Sequence, residues 1–184
     1  LSATFITGAF VPLTVFAVQS YLSSTLESKY DIHQIKKGLV LAIPLFFLCI
    51  ASFITGKKIK DHIKIMKIII LTSIIISAIT ITFTSFFDNL YLLIGVLSVF
   101  GAGLGAILPS LDAIITENID KKQRGTITSF YSSARFLGVA VGPPLMSFFM
   151  KHNQSYLFYS FGAISLILFF IVMKFIKTKK EPAT

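Results

Sequence analysis

Cysteine occurs once in these 184 residues, tryptophan not at all, and charged residues make up only 14%. Each scarcity excludes something. A lone Cys49 leaves no intramolecular disulfide and no cysteine-based metal cluster, and it is expected to pack inside a helix. His33, His62 and His152 are scattered, and no His-Glu-x-x-His occurs, so no metal site is expected. No Gly-x-Ser-x-Gly elbow appears either. A membrane-embedded hydrolase needs a Ser or Asp paired with an intramembrane His or a second Asp. The sequence offers no such pairing, so it is not expected to be an enzyme. The charge content lies well below the roughly 25% of a soluble domain.

What is abundant is apolar sequence, 54% of the chain. Runs of 18 or more apolar residues read as membrane-spanning helices. They fall at 1–26, 38–56, 68–87, 90–115, 126–150 and 156–175. The expected fold is therefore an all-α integral membrane bundle over 1–176, with the bilayer as its solvent and a polar tail at 177–184. The first stretch lacks a basic n-region and a small-residue cleavage site, so it is read as a span and not as a signal peptide. The chain starts at Leu1, which leads us to expect a piece of a longer protein or its later part.

The net charge of +9 would suggest nucleic acid in a soluble protein. Here the basic residues sort by loop. Twelve Lys and Arg lie in the segments after helices 2, 4 and 6, against four in the alternate loops and Arg135 within helix 5. The positive-inside rule then places both termini and the lysine-rich loops in the cytoplasm of a multi-pass cell-membrane protein, with no nucleic-acid partner.

The two triplets of helices echo each other. Helices 1 and 4 carry Pro12 and Pro109; helices 2 and 5 carry Pro44 and the pair Pro143-Pro144; helices 3 and 6 have none. Three helices reverse the side of entry, so the pattern reads as an inverted 3+3 repeat. Proline inside a membrane helix needs neighbours or water to satisfy the freed backbone. Helices 1, 2, 4 and 5 are therefore expected to be central, and 3 and 6 peripheral.

Gly101 and Gly105 stand four apart in helix 4, as do Gly138 and Gly142 in helix 5, with Pro143 adjoining. Small residues at this spacing let helix backbones approach closely. A phosphate-cradling loop is the wrong reading, since no strand precedes the glycines. Arg135 lies eleven residues beyond Arg124, roughly 16 Å along the helix. An arginine at that depth needs a partner or a water-filled cavity, and Asp112 in helix 4 is the nearest candidate. Two readings stand: a cavity residue that meets substrate or couples to protons, or a structural pair. For Asp112 the structural reading is favoured. Gln19, Tyr21 and Phe16 in helix 1 and Phe100 in helix 4 are further cavity candidates. Asp61, Glu117 and Arg124 suggest a cytoplasmic ion network that holds one access state closed; the alternative is ordinary solvated loop charge.

The stretch from Gly101 to Pro144, with Pro109, Arg124-Gly125 and Gly138-x3-Gly142-Pro143, resembles the major facilitator superfamily. It looks like the C-terminal six-helix half of a drug:proton antiporter of that superfamily, over essentially the whole chain. Gly56, Asp61 and the following lysines resemble the family's motif between its second and third helices, with Asp61 one residue late. The match departs from the antiporter motif at Ser129 and at Met146-Ser147, where the motif has glycine. The resemblance implies a multidrug-resistance type of secondary transporter. It would export small hydrophobic or amphipathic compounds by alternating access, with a missing N-terminal six-helix half as partner. It implies no cofactor, with the proton gradient as energy source. A sugar or other solute symporter or uniporter is the nearest rival, disfavoured by the absence of Trp. A non-transporting membrane assembly subunit is a third reading.

Overall fold

The computed structural model describes residues 2–59, 63–87, 89–119, 121–152 and 154–175. Six long helices follow one another: α1 (Ser2–Ser28), α2 (Gln34–Lys58), α3 (Ile63–Phe83), α4 (Leu90–Asn118), α5 (Lys121–His152) and α6 (Gln154–Phe175). One 3-10 turn, Thr84–Phe86, extends α3. All six are long and apolar enough to cross a membrane. Together they form an all-α integral membrane bundle of two three-helix repeats.

Two helices run further into charged sequence than the hydropathy alone implies. α2 starts at Gln34, and α5 starts at Lys121, so the segment around Arg124 is the first turn of a helix and not a loop. Lys122 and Arg124 thus stand at the positive end of the α5 dipole, with no acidic residue in that turn. The start of α4 is fixed by Asn89, which is extended and whose side chain accepts from the Tyr91 N–H. Inside the helices, Thr7, Thr14, Ser98, Ser110 and Ser165 return their hydroxyls to carbonyls three or four residues back. That removes their cost in an apolar medium.

Packing is pairwise. α1 lies chiefly along α5 and α2 along α4, while α3 packs on both α4 and α6. A pseudo-twofold exchange of the triplets maps α1 onto α4 and α2 onto α5. It therefore carries the α1/α5 pair onto the α4/α2 pair, as an inverted repeat requires. The best-buried side chains, among them Leu22, Met66, Ile70, Leu97, Ile107 and Phe158, fill the space between α1, α3, α4 and α6. α3 and α6 are tied near both ends. Lys67 Nζ donates to the Met173 carbonyl at 2.7 Å, and Ser85 Oγ donates to Ser155 Oγ at 2.9 Å.

Burial within this chain follows a different order from the one the prolines suggest. Within the chain, half of the α1 and α4 spans is buried and 39% of α3 and α6, but only 11% of α2 and 17% of α5. Pro44 does face the bundle, yet α2 turns Leu39, Ile43, Phe46, Ile50 and Phe53 outward along one stripe. Proline marks one packed face of a helix, and the opposite face stays open. Cys49 is on that open side and is exposed instead of packed.

Candidate transport groove

The geometry of the site begins with the glycines. A Cβ on Gly101 would stand 2.6 Å from the Pro44 carbonyl oxygen, and one on Gly105 would overlap the Leu48 carbonyl. Across the other pair, a Cβ on Gly138 would overlap the Ala9 carbonyl, and one on Gly142 would lie 2.6 Å from that of Leu13. Each pair of glycines four apart meets carbonyls four apart, backbone against backbone. At such a distance Cα–H groups face carbonyl oxygens directly. Pro143 follows Gly142 at once, and its missing N–H frees the Val139 carbonyl.

Between the two locked pairs runs a groove of about 420 Å³. α1 lines it with Pro12, Val15 and Phe16, α2 with Leu45 and Leu48, and α4 with Leu108. α5 contributes Ser132, Arg135, Phe136 and Val139. The wall is apolar apart from Ser132 and Arg135. The groove tapers into a cleft of about 20 Å³ that shares Val15, Leu45 and Leu48 and adds Val18, Gln19, Leu97 and Phe100.

Arg135 is paired. Its Nη1 donates to Asp112 Oδ1 at 3.1 Å and to Oδ2 at 3.4 Å. Its guanidinium also lies 5.6 Å from the centre of the Tyr131 ring. The two side chains of the pair are 30% and 48% exposed, so neither is sealed in the core. One nitrogen makes both bonds. Of the five guanidinium donors, those on Nη2 and Nε make no hydrogen bond to the described residues, and the Arg135 side chain lines the groove. Tyr131 itself is buried against Phe5 and Gly8.

The sequence candidates separate into three groups. Phe16 and Arg135 line the groove, and Asp112 joins them through the ion pair. Gln19 and Phe100 line the narrow cleft. Tyr21 does not belong to the groove. It follows Gln19 by two residues, roughly 200° around the helix. It packs edge-on against Phe158 of α6, with ring centres 4.7 Å apart. There it borders a separate polar hollow of about 240 Å³ with Thr25, Lys29 and Ser85. Of the ion-network residues, Asp61 and the side chain of Glu117 lie outside the described residues. Arg124 keeps a buried Nε that has no partner among the described ones. Among the described residues no group of three or more His, Cys, Asp or Glu gathers as for a metal.

Sequence reasoning missed Ser132, Phe136 and Val139. Their spacing around Arg135 is three, one and four residues, one helical face, and that periodicity was the available signal. Val15, Leu45 and Leu48 carried no signal, being apolar residues in apolar helices.

An inverted repeat of six spanning helices, paired through glycine-on-carbonyl contacts around a groove with an intramembrane ion pair, defines one half of a transporter fold. The profile of the Major Facilitator Superfamily matches residues 4–184, and the chain belongs to that family. It is 42% identical over 183 residues to a protein of Bacillus subtilis (strain 168), the bacillibactin exporter. That alignment covers 98% of this chain and 45% of the exporter, so the chain spans about half the length of this relative.

Proposed function

We propose that this chain forms the C-terminal half of a secondary active exporter. The carrier would drive small hydrophobic or amphipathic compounds out of the cell by alternating access. The observation that carries this reading is the apolar groove between α1, α2, α4 and α5 with a half-exposed ion pair in its wall. An apolar wall suits a greasy substrate, and the spare guanidinium donors of Arg135 suit a single acceptor group on it. The identity to the bacillibactin exporter supports the outward direction and makes bacillibactin the first compound to assay.

The energy source in this reading is the proton gradient. The ionised Asp112 carboxylate would hold Arg135 in place, with its spare donors set to take the substrate's acceptor group. Protonation of Asp112 would cancel its charge and loosen Arg135, releasing the substrate. Proton and substrate then oppose one another at one pair, as antiport requires. The partner is a second six-helix bundle, against which the open faces of α2 and α5 would rock. Both termini and the lysine-rich loops would face the cytoplasm.

The test is export from cells making the native protein, with bacillibactin and a lipophilic cation as substrates, in the presence and absence of a protonophore. Gradient-dependent extrusion of either compound is expected. Equal retention in cells with and without the protein would overturn the reading.

A further inference from the structure

The groove is not equally open at its two ends. α1 meets α2, and α4 meets α5, through few contacts, and polar bonds join each couple. α4 and α5 are joined by Asp112–Arg135, on the side of the α4–α5 loop. α1 and α2 are joined on the opposite side, near the α1–α2 loop. There Gln19 Nε2 donates to the Leu41 carbonyl at 2.9 Å, and the Glu27–Lys37 ion pair lies beyond it at the exposed rim. The repeat that maps α1 onto α4 and α2 onto α5 relates these two junctions and inverts them across the membrane.

The space between the pairs follows the same polarity. It holds about 420 Å³ beside Arg135 and narrows to about 20 Å³ where Gln19 lines it. The smaller volume suffices for about one water, so α1, α2 and α4 stand close together beside Gln19. The acceptor, the Leu41 carbonyl, adjoins that of Val40, which Pro44 leaves without its helical donor. A side chain of α1 thus supplies a backbone oxygen of α2, at the narrowest point of the groove.

We propose that Gln19 is a gating residue: its bond to the Leu41 carbonyl closes the groove on the face opposite the lysine-rich loops and opens when that face opens. The proposal rests on the alternating-access reading above. Gln19 then acts as a latch between two helix pairs within one half, and not as a substrate contact. Opening needs the amide donor to leave, which costs one interhelical hydrogen bond. Bonds of this kind in a membrane correspond to about a threefold change in an equilibrium.

The reporter is Val15→Cys, at the junction of groove and cleft, in the native protein with Cys49→Ser. A charged, impermeant thiosulfonate is added to intact cells and, separately, to inverted vesicles. Modification from both sides is expected for the parent reporter. Modification from one side alone would remove alternating access, and the latch with it. Gln19→Leu removes the donor, and Gln19→Glu keeps the shape while setting a carboxylate oxygen against the carbonyl. Both are expected to raise the rate from intact cells about threefold and to leave the rate in inverted vesicles no higher. Rates equal to the parent in either inserted variant would overturn the latch and leave alternating access standing. An equal rise from both sides would mean general loosening, and would overturn it too.

Discussion

Arg135 and Asp112 stand 23 residues apart in sequence and meet through a single nitrogen, Nη1. The arrangement is not the two-pronged fork that arginine usually forms with a carboxylate. It uses part of the guanidinium's capacity and leaves the remainder beside the groove.

Replacing Arg135 by alanine is expected to cut export sharply while the protein still inserts in the membrane. Arg135→Lys should restore little, because an ammonium lacks the planar set of donors. Initial rates of efflux, normalised to membrane protein, measure this. Parental rates in Arg135→Ala would remove the groove role.

Phe136 is exposed on the groove wall one residue beyond Arg135. It contributes apolar contact and no charge, so Phe136→Ala should raise the half-saturating concentration of a greasy substrate and change maximal rate little. That is the pattern of lost uniform binding. A drop in maximal rate with unchanged half-saturation would contradict it.

The glycine contacts give a graded expectation. Gly105→Ala and Gly138→Ala put a methyl onto a backbone carbonyl, whereas Gly95→Ala meets nothing within 4 Å. The first two should destabilise by about 1–3 kcal/mol, read as a lower midpoint of thermal aggregation in detergent. Gly95→Ala should leave it unchanged or slightly higher. A uniform response at all three positions would refute close approach as the cause.

Single cysteines placed in 57–67, in a Cys49→Ser background, should stay unmodified when an impermeant thiol reagent is added outside intact cells. Rapid labelling there would reverse the orientation drawn from the lysines.

The spans and the glycine spacing were legible because both are periodic along the chain: apolar runs long enough for a bilayer, and small residues one turn apart. The partner of Arg135 was legible because an intramembrane charge is rare, and Asp112 was the nearest opposite one. Sidedness was not. Every face of α2 is apolar, so nothing in its sequence separates Pro44, turned inward, from Phe46 and Cys49, turned outward. Tyr21 was grouped with Gln19 by proximity in sequence, although two residues along a helix point nearly opposite ways. The helical start of α5 was hidden because lysines at a helix N-terminus run against the dipole. Length and packing against α1 override that local preference.

The four glycines that approach a backbone carbonyl most closely belong to the second triplet, and the first triplet meets them with carbonyl oxygens. A carbonyl is common to every amino acid, so as far as these contacts are concerned α1 and α2 are free to vary in sequence. α4 and α5 are held to the smallest side chain there is. The two repeats, alike in path, therefore carry unequal burdens: a change of residue at Ala9 or Leu48 leaves the shared backbone oxygen in place, while a change at Gly138 or Gly105 does not.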